Sequence, residues 1–157
     1  MQTLLHQLID EAIQLELNVA HLYIDFHLQF KEDATFWWKL AIEEENHAAL
    51  LKTVKTMLDT QRLEIPRDLL PEKLESLKDS NALIWQMQEE FKQAPGRKKA
   101  FLLGIELERS AGELHYDQFM HKTPDSKLQR VFRKLNGDDM DHANRIEEYM
   151  NAQGISE

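Results

Sequence analysis

Cysteine is absent from the 157 residues. That excludes disulfides, thiolate metal sites and iron–sulfur centres. Glycine (5) and proline (4) are scarce, which favours long uninterrupted helices. Positive charge is in deficit: 19 Lys and Arg face 28 Asp and Glu, a net charge of −9. Nucleic-acid phosphates require a basic face, so no nucleic-acid partner is expected. An anionic membrane surface is disfavoured on the same ground. No apolar run approaches the ~18 residues of a membrane span. The stretch Met1-Gln2-Thr3-Leu4-Leu5-His6 has no basic n-region, and Asp10 and Glu11 interrupt the apolar run. It does not read as a signal peptide. The expectation is a soluble cytoplasmic protein with a single domain over residues 1–157.

What is present is helical periodicity. From about Thr3 to Phe30, the residues Leu5, Ile9, Ala12, Ile13, Val19, Ala20, Tyr23 and Phe26 share one face at helical spacing. Asp33 is placed to cap a second helix, which reaches about Leu58 on Phe36, Leu40, Leu51, Val54 and Leu58. Pro66 and Pro71 mark a break. The segment 72–94 reads as one or two short helices with Leu83, Ile84, Met87 and Phe91 as their apolar side, ended by Pro95-Gly96. A third long helix runs from about Arg97 to His121. Thr123-Pro124-Asp125 makes a turn. A fourth follows from about Ser126 to Ala152 on Leu128, Phe132, Leu135, Ile146 and Met150, and Gly154 stops it. The expected class is all-α: a four-helix bundle of two antiparallel pairs, with the short helices in a long crossover between the second and third.

Two tetrapeptides carry the chemistry: Glu44-Glu45-Asn46-His47 and Asp139-Met140-Asp141-His142. Residues three apart lie on one helix face, so each motif aims a carboxylate and an imidazole the same way. The two halves of the chain also parallel each other. Ile13-Gln14-Leu15-Glu16 matches Ile105-Glu106-Leu107-Glu108, and the segments 40–47 and 135–142 match in the same way. A duplicated helix pair supplies a pseudo-symmetric site with one metal per half.

With so many acidic residues, the neighbours one turn away decide which are ligands. Glu16 lies among Ala12, Ile13, Val19, Ala20 and Tyr23, in mid-stripe. A buried unpaired carboxylate costs several kcal/mol, and a metal removes that cost. Glu44 continues the row of Leu40 and Leu51, while Glu43 and Glu45 are rotated away by ~100° each, toward solvent or a supporting role. On the third helix the choice lies among Glu106, Glu108 and Glu113. Glu108 is preferred, because Gly104, Ile105, Ala111 and Gly112 give it a small apolar surround. Asp139 and His142 extend the row of Leu135 toward Ile146, and Asp138 and Asp141 read as solvated. Asp139 is one methylene shorter than glutamate and follows Asn136-Gly137, poor helix material. That predicts a weaker second half-site.

Tyr23 and His115 each lie seven residues past a ligand, still on its face. Tyr23 reads as a hydrogen-bond donor behind the ligands or a core aromatic. His115 reads as a residue behind the ligands or in the core, with a seventh ligand as the alternative. His27 reads as core. Phe36, Trp37 and Trp38 read as core and interface packing. Trp37, Trp38 and Trp85 offer apolar surface that predicts a homodimer.

The ligand set is therefore Glu16, Glu44, His47, Glu108, Asp139 and His142. Oxygen and imidazole donors without thiolate suit two iron ions, with manganese or zinc as alternatives. Four carboxylates neutralise two divalent ions, and such a pair is suited to O2 or peroxide.

In this order of ligands the chain resembles rubrerythrin, within the ferritin-like superfamily, over almost its whole length. The resemblance implies terminal carboxylates at Glu16 and Glu108, potentially bridging carboxylates at Glu44 and Asp139, and a histidine on each iron at His47 and His142. It implies reduction of hydrogen peroxide or an oxidase reaction with O2. Rubrerythrins commonly carry a cysteine-rich rubredoxin domain that feeds in electrons. Without cysteine, this chain needs an external electron-donor protein. The alternatives are a ferritin-like iron-binding ferroxidase and a degenerate bundle with a structural or interaction role.

Overall fold

The computed structural model describes the backbone of residues 3–60, 70–120 and 127–156, and their side chains apart from 59–60, 70–72, 111–120, 127–129, 132 and 136. Among the described residues there are five α-helices and no strand. They are α1 (Leu4–Gln29), α2 (Ala34–Thr60), α3 (Leu70–Gln93), α4 (Arg97–Met120) and α5 (Lys127–Ala152), with a 3-10 turn at Lys31–Asp33. None of these helices is long and apolar enough to cross a membrane.

The helix ends follow from local chemistry. Thr3 is the N-cap of α1, its hydroxyl accepting from the His6 backbone N–H at 3.3 Å. At the end of α5, Gly154 adopts φ 68°. That left-handed turn lets Ile155 N–H reach Met150 O at 2.9 Å and Gly154 N–H reach Asn151 O at 3.2 Å, the paired closure that satisfies terminal carbonyls. Asp33 stands just before α2, as a cap would. Its carboxylate is 1% exposed and is taken instead by Arg97, at 2.7 and 2.8 Å, and by the Tyr149 hydroxyl at 3.0 Å. It ties the starts of α2 and α4 to the end of α5.

The crossover differs from the expectation of one or two short helices. It contains one continuous 24-residue helix, α3. No proline or glycine interrupts residues 72–94. Pro71 falls in the first turn, where its missing N–H has no partner to lose. The buried stripe is Leu74, Leu77, Ile84, Met87 and Phe91, whereas Leu83 is exposed, not core. Pro66 and the turn at 123–125 lie outside the described residues, as do the side chains of Leu128 and Phe132.

Helix α1 packs along α2, and α4 along α5, while α3 lies against α1 and touches α4. Both pairs are antiparallel: Lys55 late in α2 reaches Asp10 early in α1 at 2.5 Å, and Arg109 of α4 pairs with Glu147 of α5. An aromatic nest holds the α1, α2 and α4 ends together. Trp37 packs 4.9 Å from Phe26 and 4.7 Å from Phe101 between ring centroids, and Phe26 packs 4.8 Å from Phe91. Each such fully buried side chain contributes ~1.5–3 kcal/mol of transfer free energy. Trp37 is therefore core rather than free surface. Trp38 (46% exposed) and Trp85 (64% exposed) are the surface tryptophans.

Helix α5 continues through Asn136-Gly137 without a break. An added Cβ at Gly137 would meet nothing within 4 Å, whereas at Gly104 it would lie 3.2 Å from both Ile146 Cδ1 and Trp37 Cη2. Both neighbours are fully buried, so making room for the methyl shifts packed core side chains. Gly137→Ala is expected to add about 1 kcal/mol to unfolding free energy, and Gly104→Ala to remove about 1–3 kcal/mol by overpacking. Urea denaturation of both variants checks this; a stabilising Gly104→Ala would contradict the packing described.

Candidate metal centre

The fold brings the six expected ligand residues into one buried cluster. Glu16 comes from α1, Glu44 and His47 from α2, Glu108 from α4, and Asp139 and His142 from α5. All are at most 5% exposed. They form two overlapping groups: Glu16, Glu44, His47 and Asp139, and Glu44, Glu108, Asp139 and His142. Within each group one donor atom per residue lies within 4.8 Å of the others. Glu44 and Asp139 belong to both.

The two imidazoles address opposite oxygens of Glu44. His47 Nδ1 lies 3.2 Å from Glu44 Oε2 and 3.3 Å from Glu16 Oε2, with Asp139 Oδ1 at 3.9 Å. His142 Nδ1 lies 2.6 Å from Glu44 Oε1 and 3.5 Å from Glu108 Oε1. The rings stack at 5.5 Å between centroids. Asp139, despite its shorter side chain, reaches both groups. The expected weakness of the second half-site therefore finds no support in reach.

Two observations show that the donor set fits cations. Glu44 Oε1 and His142 Nδ1 are buried and form no hydrogen bond, although they are 2.6 Å apart. They lie off the line a hydrogen bond needs, and a shared cation would satisfy both. The outer ring nitrogens supply the second observation. His142 Nε2–H donates to Glu43 at 2.8 Å, and His47 Nε2–H donates to Asp138 at 3.2 Å. A carboxylate only accepts, so each Nε2 carries hydrogen. When the ring is neutral, Nδ1 is then left with its lone pair facing the cluster.

The supporting pattern is reciprocal. Glu43, just before Glu44 on α2, holds the histidine of α5. Asp138, just before Asp139 on α5, holds the histidine of α2. Arg145 fixes Glu43 from the far side at 2.7 and 3.0 Å, and Lys134 fixes Asp138 at 2.5 Å. Asp138 is thus not simply solvated, as its flanking position suggested; Asp141 is 63% exposed in its side chain and pairs with Arg145. The parallel between Glu43-Glu44 and Asp138-Asp139 was the available signal.

Tyr23 donates its hydroxyl to Glu108 Oε1 at 2.5 Å. Glu106 and Glu45 are exposed. The side chains of Glu113 and His115 lie outside the described residues. His27 is no ligand: its Nδ1 meets the Ala34 carbonyl at 2.8 Å, and its ring packs on Trp38. A cavity of about 10 Å³, the room of one water-sized molecule, opens on Glu16, Glu44, Glu108 and Asp139 and is walled by Leu15, Val19 and Leu107. A larger groove, near 200 Å³, lies away from this cluster, between Ile105, Met150 and Ile155.

Without a cation the cluster is electrostatically tense. Burial raises Glu16 to about 8, with the Glu44 charge adding to it, and burial followed by the same charge raises Glu108 to about 7. Burial and three neighbouring carboxylates raise Asp139 well above the usual range. Burial works against ionisation of Glu44 too, but the His142 and His47 rings against its two oxygens outweigh it and hold Glu44 low. Burial would lower both histidines; instead Glu16 and Glu44 push His47 up to about 11, and Glu108 and Glu44 push His142 up to about 12. The imidazolium rings are the counter-cations of the metal-free cluster.

No family model, curated protein or solved structure matches the chain.

Asp138→Ala removes the acceptor that fixes His47, and Glu43→Ala does the same for His142. Each is expected to weaken metal binding by ~10–100-fold without changing stoichiometry. Competition titration against a chelating dye measures it. Wild-type affinity in both variants would show that the outer hydrogen bonds orient nothing.

Proposed function

We propose that the protein is a ferritin-like di-iron protein of rubrerythrin type that reduces hydrogen peroxide with electrons from a separate donor protein. The observation that carries this is the sharing of Glu44 and Asp139 between two donor groups, with the two histidine Nδ1 atoms on opposite oxygens of Glu44. Glu16 and His47 would hold one ion, Glu108 and His142 the other, and Glu44 and Asp139 both. Oxygen and imidazole donors favour iron or manganese and accommodate zinc. A bound iron pair would supply two electrons, one per ion.

The chain's own residues set the conditions for that chemistry. Glu43 and Asp138 fix the imidazole planes. Leu15, Val19 and Leu107 wall the carboxylate cavity and limit it to a small molecule. Tyr23 holds Glu108 in place. Glu16 and Glu108, raised to about 8 and about 7 in the metal-free cluster, would give up their protons on taking up metal. The exposed Trp38 and Trp85 support a second copy of the chain as partner, which light scattering at micromolar concentration would show.

The test is anaerobic loading with ferrous iron, followed by separate mixing with peroxide and with O2. Peroxide is expected to oxidise the iron faster, with no iron beyond the pair taken up. Preference for O2 together with uptake of many ions into a large assembly would indicate ferroxidation and storage instead. Failure to bind any divalent ion would leave an interaction bundle.

A further inference from the structure

The buried cluster has two flanks, and they differ in kind. On the α2–α5 flank, Glu43 and Asp138 close over the outer nitrogens of His142 and His47. Arg145 and Lys134 pin those two carboxylates in turn. A molecule arriving there would have to part the ion pairs. The small cavity belongs to the other flank. Its polar lining is Glu16, Glu44, Glu108 and Asp139, and its apolar lining is Leu15 and Val19 from α1 and Leu107 from α4. All three apolar side chains are buried.

Core packing accounts for the burial of these three but not for their register. Leu15 stands directly before Glu16, and Leu107 directly before Glu108. The two halves of the chain therefore repeat the apolar wall together with the carboxylate. Val19 lies three residues past Glu16, on the same helix face. Between them they leave about 10 Å³ beside the carboxylates, the room of one water-sized molecule.

We propose that Leu15, Val19 and Leu107 determine which oxidant the site accepts, admitting hydrogen peroxide and excluding alkyl hydroperoxides. The selection rests on the di-iron reading. Both oxidants would react by the same sum. The O–O bond breaks, the two ferrous ions give one electron each, and two protons complete the products. These are two waters from hydrogen peroxide, and one water and one alcohol from an alkyl hydroperoxide. The chemistry does not separate the two oxidants, so size must. tert-Butyl hydroperoxide carries a branched hydrocarbon group for which the close-packed walls leave no space. Leu107→Ala removes the branched end of one wall, and Val19→Ala trims another.

The experiment mixes anaerobic ferrous-loaded protein with hydrogen peroxide and, separately, with tert-butyl hydroperoxide, and follows iron oxidation by absorbance. The wild type is expected to react faster with hydrogen peroxide, and Leu107→Ala should cut that preference about tenfold or more. Val19→Ala should cut it in the same direction, and it carries the test if Leu107→Ala fails to fold. Leu51→Ala makes the same deletion in the α2 core, off the cavity, and should keep the wild-type preference. A binding readout uses cobalt(II)-loaded protein, whose visible spectrum reports anions on the metal. Formate should perturb that spectrum in the wild type. Pivalate, the same carboxylate on a tert-butyl group, should perturb it only in Leu107→Ala and Val19→Ala. Equal wild-type rates with the two peroxides would overturn the selection alone. So would pivalate binding to the wild type, or a preference that Leu51→Ala lowers as much as the wall variants do. Ferrous iron left unoxidised by both peroxides would overturn the di-iron reading and the selection with it.

Discussion

Glu44→Ala should empty both metal positions, whereas Glu16→Ala and Glu108→Ala should each empty one. Glu44 belongs to both donor groups and offers a separate oxygen to each histidine, while Glu16 and Glu108 belong to one group each. Metal analysis after gel filtration should find two ions per chain in the wild type, one in the Glu16 and Glu108 variants, and none in the Glu44 variant. Peroxide turnover should be lost with Glu44. The metal-free protein should suffer as well. Glu44 is the ionised partner of both buried imidazolium rings, and removing one side of a buried pair costs about 3–5 kcal/mol. Glu44→Gln, of equal size, keeps the metal test valid if the alanine variant unfolds. Two ions retained in both Glu44 variants would show that the cluster is not a shared site.

The second large effect is opposite pH dependence with and without metal. In the metal-free fold Glu16 and Glu108 sit at about 8 and about 7, raised from 4.5. A raised acid contributes stability fully below its usual value and loses it as pH climbs through the folded value. His47 and His142, raised from 6.5 to about 11 and about 12, behave the same way over a higher window. Glu44, held low, loses its contribution only as pH falls below 4.5. The cluster therefore destabilises the metal-free chain steadily as pH rises from 4.5 through 8. Ligation needs the carboxylates ionised and the imidazoles neutral, so binding releases protons and strengthens over that same range. Calorimetry with and without a divalent ion should show a thermal shift that is larger near pH 8 than near pH 6. An equal shift at both would mean that the buried acids do not take part in binding.

The six residues of the buried cluster were legible because each interrupts an apolar stripe at a spacing only a helix explains. Glu108 was separable from Glu106 by its small or apolar neighbours, Gly104, Ile105, Ala111 and Gly112, and the fold does leave Glu106 exposed. Asp138 was not legible by the same rule. It is rotated about 100° from Asp139, which suggests solvent, yet on the α2-facing flank that angle meets His47. A one-helix pattern contains no information about the helix across the gap. Asp33 misled for a similar reason, since its position says cap while Arg97 and Tyr149, distant in sequence, claim its carboxylate. The crossover was underread because Pro66 and Pro71 suggested interruption, while Leu74 and Leu77 already continued the stripe of Ile84, Met87 and Phe91. Trp37 and Trp38, adjacent in sequence, separate into core and surface only once α1 and α4 pack around α2. The side chain of His115 lies outside the described residues.

Ferrous titration of the metal-free wild-type protein, under anaerobic conditions and followed by calorimetry, tests the central claim most directly. The account predicts saturation at two ions per chain with release of protons, because Glu44 and Asp139 complete both donor groups. Saturation at one ion, or no binding at all, would contradict it.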